Sequence, residues 1–126
     1  MRAILIMLVS FLILGTLSWT SHSYIYSVTG HLQTQAQTAE DLLRLRQWEQ
    51  LQQELQSLHI YWESRRNKMA VLLDHQDVNT LEDILLRLES YADSQADTLA
   101  FSEMASLRSM LKNMRERETI SLYNIF

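Results

Sequence analysis

From His31 to Phe126 the chain contains neither glycine nor proline. Nothing else in the sequence narrows the choice of folds as much. Tight β-hairpins turn on residues with positive φ, usually glycine or asparagine, and phosphate-cradling loops need several glycines close together. The whole chain of 126 residues has no proline and two glycines, Gly15 and Gly30. Average usage would supply roughly 15 of the two together in a chain this long. Leu, Gln, Glu, Arg and Ala dominate the glycine-free stretch, and all five are strong helix formers. The expected fold class is all-α, in one small domain.

Apolar residues recur at helical spacing throughout. Val28, Leu32, Ala36, Ala39, Leu42, Leu43 and Leu45 form a first stripe over residues 24–46, with Gly30 as its weak point. Trp48, Leu51, Leu55, Leu58, Trp62, Met69, Leu72 and Leu73 form a second stripe, over about 47–74. The stripe changes phase near Arg46 and Gln47, which places a boundary there. Asn79 with Glu82 three residues on fits a capping box, with Asp77 as the alternative cap, so a third helix is expected over about 80–94. It carries Leu81, Ile84, Leu85, Leu88, Tyr91 and Ala92, and a fourth over 98–119 carries Ala100, Met104, Leu107, Leu111 and Met114. Short connections imply antiparallel neighbours. An antiparallel three- to four-helix bundle over 47–119 follows, with the first helix packed alongside as a stalk. Folding back at 74–79 would bring the basic Arg65, Arg66 and Lys68 beside the acidic first half of the third helix, where Glu82 and Asp83 lie.

Residues 3–19 carry no charge, and as a helix they would span about 26 Å, close to the ~30 Å hydrocarbon core of a bilayer. Trp19, Tyr24 and Tyr26 are residue types that favour the membrane–water interface. Arg2 is the only basic residue before Arg44, so the positive-inside rule puts the N-terminus in the cytoplasm and the chain after about residue 20 outside. The expectation is a signal-anchor over 1–23 in a single-pass cell-membrane protein. With only Met1 and Arg2 inside, any signalling would pass through a partner. The rival is a cleaved signal peptide, with Ser21-His22-Ser23 as the best site on offer and a secreted product.

The absence of cysteine excludes a disulfide scaffold, a thiolate metal site and a Cys nucleophile. Eleven Lys and Arg against 15 Asp and Glu leave a net charge of −4, which argues against a nucleic-acid partner held by bulk charge. His22, His31, His59 and His75 show neither His-x-x-x-His nor Glu-x-x-His spacing, so no metal, cofactor or catalytic residue is assigned. Glu40-Asp41 and Glu82-Asp83 read as solvated pairs on helix surfaces, because adjacent helical residues point about 100° apart. The interaction candidates are Trp48 and Trp62, two heptads apart and otherwise core, the basic Arg65, Arg66 and Lys68, and His75 in the densest ligand cluster. A second basic stripe, Arg108, Lys112 and Arg115, would suit an anionic lipid or wall polymer if it is not ion-paired. The apolar end, residues 120–126, adds Tyr123, Asn124, Ile125 and Phe126, which should pack on the bundle or a partner.

Several of these pieces stand in an order that resembles a known family. They are the N-terminal apolar helix, Trp48, Trp62 with Lys68 behind it, the run Leu72-Leu73-Asp74-His75-Gln76-Asp77-Val78, then Leu81-Glu82-Asp83-Ile84, and Ser121-Leu122-Tyr123-Asn124-Ile125. Together they resemble the single-anchor proteins of Gram-positive spore-forming bacteria grouped as domain of unknown function four-three-six-three. Leu51 departs from that pattern, where a small residue is expected. The resemblance implies the anchored helical architecture and no assigned activity. The functional expectation is therefore a non-enzymatic, extracytoplasmic accessory or interaction module for another membrane or envelope protein, with self-association open. A bundle sensing a small ligand or lipid near Trp62, Arg65 and His75 is the alternative.

Overall fold

The computed structural model describes residues 1–125, with side chains through Ile120. Four α-helices follow one another, and no strand occurs among the described residues: α1 (Arg2–Arg44), α2 (Trp48–Leu72), α3 (His75–Asp93) and α4 (Asp97–Ile125). Each packs on two neighbours, α1 on α2 and α4, and α3 on α2 and α4, while among the described residues the diagonal pairs have no close backbone approach. The result is a square four-helix bundle with antiparallel neighbours. Between α1 and α2, Tyr24 meets Lys68, His31 meets Tyr61 and Gln35 meets Ser57, so numbers rise in one helix as they fall in the other.

Helix α1 therefore joins the bundle as a full member, and the stalk expectation is corrected. Its buried positions Val28, Leu32, Ala36, Ala39 and Leu43 repeat every three or four residues and face α2 and α4. Gly30 does not interrupt it. One isolated glycine costs a helix about 1 kcal/mol, which the packing on either side outweighs.

Without glycine, the chain still closes two of its helices with the motif that glycine usually serves. At the end of α1 the Gln47 N–H donates to Leu42 O and the Arg46 N–H to Leu43 O, both at 3.0 Å, with Arg46 at φ 54°. At the end of α3 the Ala96 N–H donates to Tyr91 O and the Gln95 N–H to Ala92 O, with Gln95 at φ 55°. Both are Schellman caps whose left-handed residue carries a Cβ, a conformation that costs roughly 1–2 kcal/mol.

The third helix begins five residues earlier than the capping-box reading. Leu73 and Asp74 are extended, and the Asp74 carboxylate accepts from the Gln76 N–H at 3.2 Å, so the cap is Asp74 rather than Asn79 or Asp77. Val78 explains the extension. It lies in phase with Leu81, Leu85 and Leu88 and is buried with them, so packing holds the extra turn in the helix. Helix α4 likewise runs past 119 to Ile125, without a separate terminal segment.

The core runs the length of the bundle. Trp62, Leu58, Leu81, Met104 and Leu107 are completely or almost completely buried among Leu32, Leu43, Leu51, Leu55, Leu85 and Leu88. Leu51, where the resemblance implied a small residue, is buried as part of that cluster.

Candidate functional site

Helix α1 is 43 residues long, and its apolar window is entirely unburied. Among the described residues it is the one helix long and apolar enough to cross a membrane. Ile4, Leu8, Phe11, Leu14, Leu17 and Trp19 are all exposed, and the first buried side chain is Ile25. The arm thus leaves the bundle as an uninterrupted continuation of a bundle helix.

The end of the bundle from which this arm projects is the candidate functional region. Lys68 Nζ lies 5.5 Å from the centre of the Tyr24 ring. Leu73 is five residues further along α2, about 7.5 Å at 1.5 Å per residue, which brings the α2–α3 turn level with Trp19. On the opposite side, the Tyr26 and Thr119 hydroxyls are 3.5 Å apart. The remaining six residues of α4 descend about 9 Å, to the level of Thr20. The α2–α3 turn therefore lies where the apolar run of α1 stops, and α4 reaches the same level. Val71 is exposed at this base, 83%, with Leu72 and Leu73 half-buried beside it and Asp74, His75 and Gln76 exposed in the turn, while Ile120 is exposed higher up, near the level of Ile25.

Just above the base, a groove between α1 and α2 is lined by Tyr24, Ser27, Tyr61, Ser64, Arg65 and Lys68. Arg65 lies over the Tyr61 ring at 5.0 Å, as Lys68 lies over Tyr24, so both cations rest on aromatic faces. Arg66 does not join them. It turns to α3 and pairs with Glu82, the contact that the charge pattern implied. Arg117 pairs with Asp77 at 3.0 Å, which links α4 to the start of α3, and His22 Nδ1 on α1 lies 3.6 Å from the Glu118 carboxylate.

Arg115 crosses to α1. Its Nη1 donates to Tyr26 O at 2.9 Å, and its guanidinium lies 3.9 Å from the Tyr26 ring centre. A Cβ added at Gly30 would stand 2.7 Å from that nitrogen. Gly30 thus has a positional reason inside a helix: it lets the guanidinium reach the backbone. Arg108 and Arg115 are both engaged with α1, so the basic stripe serves helix pairing, and Lys112 alone points to solvent near Glu116 at 3.9 Å.

The expected solvated pair Glu40-Asp41 is corrected. Glu40 is buried between α1 and α4, takes a hydrogen bond from Arg44 at 2.7 Å and pairs with Arg108. Burial alone would raise its carboxyl, but the two arginines outweigh that and hold it below the usual carboxylate range. The signal was present in the sequence, since Glu40 stands in the stripe between Ala36 and Leu43 with Arg44 four residues on. His59 forms a second polar cluster, its Nδ1 2.7 Å from Glu89 on α3 and its Nε2 3.4 Å from Glu63. Burial opposes its proton, and the two carboxylates more than compensate, so its pKa is raised.

Of the sequence candidates, Trp62 is sealed in the core and Trp48 sits half-buried at the opposite end. Fourteen helical residues separate them by about 21 Å, so they form no common aromatic box. Arg65 and Lys68 share the groove, while His75 is exposed at the first position of α3. Trp62, Arg65 and His75 therefore do not converge on one pocket. Trp19 and Tyr26 are exposed, and Tyr24 is half-buried at the groove mouth. The side chains of Tyr123, Asn124, Ile125 and Phe126 lie outside the described residues.

A family model described as Domain of unknown function (DUF4363) matches residues 19–125. The chain belongs to this family. No curated protein and no solved structure matches it. The DUF4363 region begins at Trp19, the level of the base, and takes in all four bundle helices.

Proposed function

We propose that this DUF4363 protein is a single-pass membrane protein whose four-helix bundle works outside the cytoplasm as a non-catalytic interaction module for another membrane or envelope protein. One observation carries the reading. An apolar helical arm, wholly unburied, continues a helix of the bundle without a break. An exposed apolar surface of that size requires a lipid or protein environment. Arg2 ahead of the arm, with no further basic residue before Arg44, favours a cytoplasmic N-terminus. The interior speaks for a module that acts through its surface rather than a ligand-sensing bundle, because large side chains such as Trp62 and Met104 fill it.

The absence of native cysteine makes the test direct. Gln50→Cys places one thiol on an exposed position of α2. The expected result is a full-length chain in the membrane fraction, labelled in intact cells by an impermeant maleimide and co-purifying in mild detergent with a reproducible second polypeptide. Labelling only after lysis overturns the topology. A chain truncated near Ser23 and found in the medium overturns the anchor, since cleavage there would leave the buried core, which starts at Ile25, intact. Full-length protein that purifies alone overturns the partner.

A further inference from the structure

We propose that the base of the bundle is a membrane-contact surface, seated on the phospholipid headgroups, with Arg65 and Lys68 at the level of the lipid phosphates. The inference rests on the reading that the apolar arm spans the bilayer. It adds that the bundle lies directly on the leaflet and does not stand clear of it.

The vertical geometry carries the argument. A hydrocarbon core of ~30 Å takes up about 20 helical residues, so a span starting at Ala3 reaches the headgroup boundary near His22. The α2–α3 turn is level with Trp19, and the end of α4 is level with Thr20. The α2–α3 turn and the last described turn of α4 thus come within about 5 Å of that boundary, without an intervening linker. The α2–α3 turn presents exposed, polar Asp74, His75 and Gln76 there, and beside them the apolar side chains of exposed Val71 and half-buried Leu72 and Leu73. At a lipid interface these apolar side chains match the shallow apolar face of a surface-seated protein.

The next layer up is cationic and aromatic. Lys68 lies at the height of Tyr24, about 3 Å beyond the boundary, and Arg65 one turn higher, about 7–8 Å beyond it. The headgroup layer of one leaflet is roughly 5–8 Å thick, so both cations fall within it. Their stems run along the groove beside Tyr24 and Tyr61, and Ser27 and Ser64 line the same groove. Arginine and lysine with neighbouring hydroxyls are the donor set that takes a phosphate monoanion. Arg66 and Arg117 at the same end are occupied by Glu82 and Asp77, so the phosphate contact is assigned to Arg65 and Lys68.

The test uses the full chain in lipid nanodiscs, with single cysteines at Leu8, Val71 or Gln50 carrying a nitroxide. Its collisions with oxygen, which partitions into lipid, and with an aqueous nickel chelate report depth. The expected result in phosphatidylglycerol discs is a Leu8→Cys label in the hydrocarbon and a Val71→Cys label several-fold less accessible to nickel than Gln50→Cys. Adding Arg65→Gln and Lys68→Gln to the Val71→Cys chain should return nickel access towards the Gln50→Cys value, with helix content unchanged. Equal nickel access at Val71 and Gln50, with Leu8 in the hydrocarbon, overturns the seated base and leaves the anchor standing. Nickel access at Leu8 overturns the anchor itself. Unchanged shielding in the double glutamine variant overturns the phosphate contact.

Discussion

Among the described residues Glu40 is the one buried carboxylate, and replacing it tests whether its ion pairs hold α1 to α4 or merely offset its own desolvation. The Glu40 side chain is 10% exposed, while Arg44 is 63% and Arg108 49% exposed. The asymmetry decides the outcome. If the carboxylate is replaced by leucine, both arginines return to water without a stranded charge, and the new side chain joins Ala36, Ala39 and Leu43. Exchanging a buried ion pair for apolar packing is commonly neutral or stabilising, so Glu40→Leu should change stability by no more than about 1 kcal/mol, in either direction. Removing the arginines does the opposite, because the buried charge stays behind. Arg108→Ala should cost about 1–2 kcal/mol, discounted for its half-exposed position. Arg44→Ala with Arg108→Ala should approach the 3–5 kcal/mol typical of a stranded buried charge.

The assay is thermal unfolding of the full chain in mild detergent, followed by circular dichroism of the helices, where 1 kcal/mol corresponds to about 4–8 °C. Acid adds a second arm. The Glu40 carboxyl sits below its ordinary value of 4.5 in the folded chain, so below that pH the unfolded state binds the extra proton. Its stabilisation is complete above pH 4.5 and is lost as pH falls through the folded value. The leucine variant lacks this loss and should gain on the parent as pH drops. A Glu40→Leu penalty above about 2 kcal/mol, or a harmless double arginine deletion, would refute the reasoning.

Two further outcomes are expected. His59 holds its proton more tightly when folded than its ordinary pKa of 6.5 implies, so its contribution is full below that pH and declines as pH rises through the folded value; melting curves between pH 6 and 8 should show the decline, and His59→Gln should flatten it. Asp74→Ala should cost about 1 kcal/mol by removing the α3 cap, whereas Asn79→Ala, one turn inside the helix, should stay within about 0.5 kcal/mol; equal melting temperatures for the two variants would return the cap to Asn79.

Much of the architecture is legible in residue order. The stripes Leu51–Leu55–Leu58–Trp62 and Leu81–Leu85–Leu88 are the buried faces of α2 and α3 because helical periodicity depends only on spacing. The partner of Arg66 was likewise readable, since a short turn forces α2 and α3 side by side. The start of α3 was not. Asn79 and Glu82 carry a sound capping signal, and it lost to the burial of Val78, which no local rule weighs. The groove at Arg65 and Lys68 was visible only as a basic cluster, because Tyr24 lies more than forty residues away and meets it only across a helix pair.

An unbranched division of labour results. Backbone propensity and the near absence of glycine and proline, which act within a few residues, determine by themselves that the chain is helical, where its apolar faces lie and that residues 3–19 form one apolar arm. Tertiary packing decides what those faces meet. It makes α1 a full member of the square, turns Glu40 from a surface charge into a buried one, and brings the α2–α3 turn to the height of Trp19. The physical reason is that helical spacing sets the angle at which a side chain leaves its own axis. The rotation and height at which a neighbouring helix docks depend on how side chains from distant segments interlock, and only the folded bundle brings those segments together.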